Sequence, residues 1–262
     1  MLKVENIHKT FNQGTANELK ALNGVSLTIE KSEFITLIGG NGSGKSTLLN
    51  AVAGIFGADC GKMIIAGTDV TNMPSYKRAK YIGRVFQDPM IGSAANMSIE
   101  DNLAYAKRRG MRRSLKWGIT KKERSEYKEA LEGLGLNLEN RLSDKVGLLS
   151  GGQRQALTLL MATLTCPDIL LLDEHTAALD PKTAAMVMEL SERLIKGHKM
   201  TALMVTHNMQ DAIRYGTRLI MMSEGKIVFE AKDEKKRSMS VKEIVELFSA
   251  ENGQEALYAV GI

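Results

Sequence analysis

The chain lacks any apolar run approaching the ~20 residues that a helical membrane span requires. Its opening residues, Met1-Leu2-Lys3-Val4-Glu5-Asn6-Ile7, alternate like a strand and contain no signal-peptide core. A protein made and kept in the cytoplasm is therefore expected. Cysteine is scarce: Cys60 and Cys166 form no close pair and no metal-ligand spacing, so both are expected as reduced thiols in the core. There is no internal repeat and no low-complexity tract. The excess of positive charge is modest. A net charge of +5 permits contact with an anionic surface but does not define a nucleic-acid face, and no nucleic-acid partner is expected. What remains is an ordinary globular composition, 44% hydrophobic and 25% charged. The 262 residues suffice for one large domain or a domain with a subdomain.

Against that background one segment stands out. Gly39-Gly40-Asn41-Gly42-Ser43-Gly44-Lys45-Ser46-Thr47 follows the apolar run Phe34-Ile35-Thr36-Leu37-Ile38 and leads into Leu48-Leu49-Asn50-Ala51-Val52-Ala53. Strand, glycine-rich loop and helix in this order fit the pattern G-x-x-x-x-G-K-[ST]. Glycines let the backbone curl so that several N–H groups face phosphate oxygens. The following helix adds the positive end of its dipole. Lys45 can reach the β- and γ-phosphates, and the Ser46 hydroxyl can ligate Mg²⁺. The loop specifies a nucleoside triphosphate without specifying its use.

Two further apolar runs end in polar clusters: Ile169-Leu170-Leu171-Leu172 and Thr201-Ala202-Leu203-Met204-Val205. Such runs fit central parallel strands buried on both faces. Ligands bind at the carboxyl ends of strands in sheets of this kind, so the three clusters are expected to converge. Helical patterns at 182–195 and 208–214 alternate with the runs and argue for an α/β core over residues 1–87 and 166–230. Residues 88–165 are helical in pattern, charged and poor in strand signals, as expected of an inserted helical subdomain. Residues 225–230 read as a last strand, 232–237 as a solvated charged linker, and 240–247 as an amphipathic helix within a C-terminal region spanning 231–262.

Asp173 and Glu174 close the second run. A carboxylate at such a strand end can hold Mg²⁺, which suits Asp173, and Glu174 can then polarise a water for attack on the γ-phosphate. Leu149-Ser150-Gly151-Gly152-Gln153 precedes another helix and offers a second anion-binding helix N-terminus. One subunit has no use for two cradles on one nucleotide. Two copies packed head to tail, each completing the other's site, would use both.

Taken together, these motifs resemble the nucleotide-binding subunit of an ATP-binding cassette (ABC) transporter over roughly residues 2–230. The resemblance implies one ABC domain: a P-loop NTPase core with N-terminal antiparallel β elements and an inserted helical subdomain, acting on ATP with Mg²⁺. It implies a signature motif in Ser150, Gly151, Gly152 and Gln153 that contacts the nucleotide of a second copy. It places Gln87 as the glutamine that senses Mg²⁺ and the attacking water, and Glu174 as general base. Ala178-Leu179-Asp180 would cross the dimer interface, and His207 would touch the γ-phosphate. Phe11 would stack on adenine, while Gly39, Asn41, Gly42, Ser43, Gly44, Lys45, Ser46 and Thr47 would hold the phosphates. One position departs from the family pattern: His175 stands where proline commonly follows the catalytic glutamate. His175 reads as structural, like His8 and His198, with modest pH sensitivity of hydrolysis as the alternative.

Having no span, such a chain would need a separate permease. Residues 88–98, small, polar and Met-bearing, read as the permease docking surface, the plainer alternative being a connecting loop. The basic run Lys107-Arg108-Arg109-Gly110-Met111-Arg112-Arg113-Ser114-Leu115-Lys116-Trp117 reads as a solvated helical face, with lipid headgroups or nucleic acid as alternatives. The signature and Asp173–Asp180 segments resemble ATPases of bacterial importers served by an extracytoplasmic solute-binding protein. Among these they resemble amino-acid-type systems, on the inner face of the membrane. Two other readings stay open. Residues 17–25 resemble an export or lipoprotein-release ATPase, and a soluble single-cassette ABC ATPase is also compatible.

Overall fold

The computed structural model describes residues 1–111 and 118–252. The chain opens with β1 (Leu2–Phe11) and β2 (Leu19–Ile29), a hairpin of alternating apolar residues. β3 (Phe34–Gly39) follows, buried along its whole length, and delivers the chain through the glycine-rich loop into α1 (Lys45–Ala53). β4 (Cys60–Ile65), β5 (Thr68–Asp69), the single turn α2 (Ser75–Arg78) and β6 (Ile82–Val85) complete the N-terminal part.

Helices then dominate: α3 (Ile99–Lys107), α4 (Lys121–Glu132), a 3-10 turn at Val146–Leu148, and α5 (Gly151–Thr163). Ser98, Thr120 and Ser150 begin the three helices with capping boxes, each closed by an Asp, Glu or Gln three residues on. Alternation resumes with β7 (Ile169–Asp173), α6 (Pro181–Gly197), β8 (Ala202–Val205), α7 (Met209–Arg214), β9 (Arg218–Ser223) and β10 (Lys226–Lys232). It ends with α8 (Asp233–Ser238) and α9 (Val241–Asn252).

Two sheets result. One is antiparallel, in the order β2-β1-β4-β5. The other runs β10-β9-β3-β8-β7-β6, parallel except for β10 at its edge. The three apolar runs are neighbours in it. Val205 is in register with Leu37 on one side and Asp173 on the other, so the loops after β3, β8 and β7 leave from one edge.

Strand side chains alternate between two cores, as a pleated strand buried on both faces must. Leu170 and Leu172 join Leu103, Tyr127, Leu131 and Leu157 from the helical segment. Ile169 and Leu171 join Leu48 and Val52 of α1 and Ile7 and Ile65 of the antiparallel sheet. The helices α3, α4 and α5 thus pack directly onto the sheet through one continuous core. A third cluster sets Ile244 and Phe248 of α9 against Met209 and Ala212 of α7.

Two expectations need correction. The charged tract at 232–237 is no solvated linker: it finishes β10 and forms α8, and Lys236 is buried, donating to the carbonyls of Tyr215 and Gly216. Those two carbonyls, in the bend after α7, face the Lys236 ammonium, which is why a lysine is drawn inward. The two cysteines are free but exposed, not core thiols; each lies at an element boundary, Cys60 starting β4 and Cys166 in the turn before β7. Residues 112–117 of the basic run, Trp117 included, and residues 253–262 lie outside the described residues. Among the described residues, no helix is long and apolar enough to cross a membrane.

Candidate functional site

The loop after β3 is shaped by contacts that only glycine permits. A Cβ on Gly39 would lie 2.5 Å from both the Met222 carbonyl oxygen and Ser43 Oγ. Gly44, at φ 100°, would set one 2.5 Å from the Ala21 carbonyl oxygen. The loop is further pinned by Gly225 N–H donating to the Ser43 carbonyl at 3.0 Å. Lys45 begins α1, is buried, and donates from Nζ to the carbonyls of Gly39 at 2.8 Å and Gly40 at 2.9 Å. Burial holds its pKa below the usual lysine range, an effect opposed by the nearby Glu174 and Asp173 carboxylates. Ser46 is exposed and Thr47 half-buried on the first turn; Asn41 and Gly42 are exposed at the loop's outer side.

β7 delivers two carboxylates with different partners. Asp173 accepts from Arg84 Nη2 at 2.7 Å, and the two side chains are only 16% and 12% exposed. Glu174 turns into the left-handed region at φ 46°, its N–H donating to the Val205 carbonyl at 3.1 Å. Its Oε1 lies 2.6 Å from His207 Nε2 at the end of β8. His207 is presented there because Asn208 caps α7, accepting from the Asp211 N–H at 3.0 Å. A cavity of about 460 Å³ opens beside the pair, walled by Thr176, Leu179, Met188 and Asp211. Burial raises the Asp211 carboxyl's pKa, Arg214 opposing it.

Lys45, Asp173, Glu174 and His207 thus share one edge of the sheet. The Gly39–Thr47 loop and Gln87 follow β3 and β6, parallel strands of the same sheet, and leave from that edge as well; the remaining expected residues stand elsewhere. Ser150 and Gln153 cap α5 reciprocally, at 3.2 and 3.3 Å. Gly152 is packed so closely that a Cβ would meet Thr183 Cγ2 at 2.1 Å, and Gly151 is exposed. Among the described residues, no hydrogen bond joins this turn to the Gly39–Thr47 loop. Asp180 caps α6 through the Thr183 N–H at 3.1 Å, and hydrogen bonding to the Thr183 side chain and then to this N–H lowers its pKa. Gln87 is exposed in the bend after β6, and the preceding Phe86 carbonyl accepts from Gln155 Nε2 at 3.1 Å. Phe11 closes β1, edge-to-face with Phe56 at 5.3 Å and with Lys9 Nζ 5.6 Å from its ring centre.

Two residues that the motifs do not single out bear on the site. Arg84 is a charged residue inside an otherwise buried strand, a signal that a buried anion must face it. Gln155 is a fully buried amide on α5 and ties that helix to the bend carrying Gln87. His175 points away from the carboxylates into the core. Its Nε2 lies 2.9 Å from Ser191 Oγ, and burial pushes its pKa down to about 4, so the ring stays neutral at ordinary pH.

The loop fits a polyphosphate. Ser43 Oγ is buried without a hydrogen-bond partner, Gly44 caps α1 without a side chain, and the first turn of α1 holds no acidic residue. For Mg²⁺ the nearby donors are hard oxygens, the Ser46 hydroxyl and the Asp173 carboxylate, of the kind such an ion takes beside phosphates.

A parallel sheet that brings a buried lysine and a Glu–His pair to one edge is the framework of a P-loop nucleoside triphosphatase. The comparisons with known proteins sharpen this. The family model described as ABC transporter matches residues 22–177. The chain is 42% identical over 248 residues to a tyrosine transport ATP-binding protein of Clostridioides difficile (strain R20291), covering 95% of this chain and 98% of that one. It is 34% identical to the energy-coupling factor transporter ATP-binding protein EcfA2 of Acetivibrio thermocellus, over 86% of this chain and 78% of the relative. In structure it matches the dimeric post-hydrolysis state of the ATP-binding cassette MJ0796 bound to ADP and Pi. That match has a TM-score of 0.76 at 30% identity, covering 88% of this chain and 98% of that one. The chain belongs to the ABC transporter family and is one of its ATPases.

Proposed function

We propose that the chain powers a solute importer, most simply one for an amino acid or related small molecule, as a pair of copies bound to a separate permease at the inner face of the membrane. The relative named for tyrosine transport supports this reading, because the similarity runs through nearly the whole of both chains. In the proposed cycle Lys45 and the loop N–H groups hold the phosphates of ATP. Ser150, Gly151, Gly152 and Gln153 of one copy close on the nucleotide of the other, and Asp180 lies at that contact. Closure does work because ATP binds the closed pair better than the open one. Phe11 stacks on the adenine.

Glu174 takes the proton of the attacking water, and His207, bonded to that carboxylate, orients it and faces the charge developing on the γ-phosphate. Ser46, Asp173 and Gln87 would hold Mg²⁺, which when bound neutralises phosphate charge. Residues 88–98 carry exposed Met90 and Ile91, a surface suited to a permease helix.

The energy-coupling factor relatives favour a second reading, an importer assembled around such a transporter rather than around a solute-binding protein. Capture of partners by tagged Glu174→Gln from solubilised membranes with ATP separates the two. A permease accompanied by a secreted or lipid-anchored binding protein supports the first. A permease with membrane components alone supports the second, and soluble partners only would overturn both.

A further inference from the structure

We infer that His175 is a positioning residue for Glu174: through one buried hydrogen bond to Ser191 it ties the end of β7 to the middle of α6 and so fixes where the Glu174 carboxylate points. This rests on the reading of Glu174 as general base.

The bond has a defined direction. Ser191 Oγ lies 2.8 Å from the Val187 carbonyl and donates to it, and a hydroxyl has a single proton. The contact at 2.9 Å from His175 Nε2 is then a hydrogen bond only if the ring donates. His175 Nε2 therefore carries a proton. Its exposure is 2% and that of Ser191 is 0%, so no water competes for either atom.

The residue before it needs such an anchor. A non-glycine residue at positive φ, such as Glu174, holds that conformation only when its surroundings impose it. Glu174 has a main-chain bond on each side, its own N–H to Val205 and the Ala177 N–H to its carbonyl at 3.0 Å. Neither fixes the loop against α6. The His175 ring does, adding a directional hydrogen bond to the non-directional apolar packing that Leu170 and Leu172 of β7 share with Met188, Leu190 and Ile195 of α6. With His175 turned into the core, the adjacent side chain is turned outward, toward His207. A proline at this position would restrict φ but could make no such tie.

The test compares the full-length parent with His175→Ala, Ser191→Ala, His175→Gln and Ser191→Thr in steady-state ATP hydrolysis, with ATP affinity measured separately and Glu174→Gln run alongside. Loss of the tie is expected to lower kcat roughly tenfold in both alanine variants, with KM and ATP affinity held within about twofold. His175→Gln retains a donor and Ser191→Thr an acceptor, so both are expected to recover most of the turnover. Nitrogen-15 spectra of labelled histidine are expected to show His175 as the Nε2–H tautomer. Parent-like kcat in both alanine variants, or an Nδ1–H ring, would overturn the inference while leaving Glu174 intact as base. Parent-like turnover in Glu174→Gln would instead overturn the reading on which it rests. Should His175→Ala fail to fold, Ser191→Ala, which removes a single oxygen, decides the matter.

Discussion

Glu174 Oε1 and His207 Nε2 are 2.6 Å apart, joining the ends of two adjacent parallel strands across the site edge. The glutamate side chain is 13% exposed and the histidine 39%, so the pair has a shielded side and an open one. A base that must also be held still gains from such a partner, because a hydrogen-bonded carboxylate samples fewer rotamers. Replacing Glu174 with Gln removes the base, and replacing His207 with Ala frees it. Turnover is expected to fall by ~10²-fold or more in the first and by ~10-fold or more in the second, with ATP binding preserved in both. Phosphate release and nucleotide binding measured on the same preparations check this; equal turnover in Glu174→Gln and parent would refute the assignment.

The phosphate loop yields a contrast between neighbouring glycines. At Gly44 an added Cβ meets the Ala21 carbonyl at 2.5 Å on a backbone at φ 100°, whereas at Gly40 nothing lies within 4 Å. Gly44→Ala is expected to lose ~2 kcal/mol or more of stability, since strain and clash act together on a main-chain atom that cannot move aside. Gly40→Ala should stay within ~1 kcal/mol. Denaturant unfolding of the two variants without nucleotide measures the difference, and equal midpoints would show that the loop is looser than its contacts require.

Asp173 and Glu174 adjoin in sequence but differ in what their neutralisation costs. Asp173 neutralises Arg84, whose Nε and Nη1 are buried without partners. Asp173→Asn leaves that guanidinium without its counter-charge, a loss of ~3 kcal/mol for a well-buried pair and somewhat less here, where both groups keep some solvent contact. Glu174→Gln breaks no ion pair with an arginine, and the buried Lys45 keeps the Asp173 carboxylate nearby. Thermal melts should therefore show Asp173→Asn well below Glu174→Gln. Adding Arg84→Met to Asp173→Asn should restore part of the loss, as a double-mutant cycle would reveal. Additive losses would show that the ion pair is incidental.

Much of this arrangement is legible in the residues. Three apolar runs long enough to be buried on both faces, each ending in a polar cluster, specify parallel strands with a shared ligand edge. The glycine spacing before Lys45 names the ligand class. Tertiary partners are harder to read. Arg84 and Asp173 meet only because β6 and β7 are neighbours, and that order is not written in either strand. Lys236 sits in a run of six charged residues whose composition reads as solvated, yet one turn of helix aims it at two main-chain carbonyls. The cysteines fail in the opposite sense: their apolar character suggests burial, while their positions at element boundaries leave them exposed. The direction of the His175 ring follows from the packing of α6, which local pattern does not reveal.

Lys236 supplies a dependence on pH whose sign can be worked out. Burial lowers its pKa from an ordinary lysine value to about 8. Between about pH 8 and the unfolded value near 10.4 the unfolded chain binds the extra proton, so stability rises with pH across that window. Below it both states are protonated and the folded protein carries the cost of a buried ammonium, relieved by the Tyr215 and Gly216 carbonyls. Relative to Lys236→Met, whose stability has no such dependence at this position, the parent should gain on the order of 2 kcal/mol between about pH 7 and about pH 10.5. Chemical unfolding of both proteins at several pH values measures the difference. A difference that does not change with pH would place the ammonium in contact with water, and the anchoring of α8 would then have to come from its apolar neighbours alone.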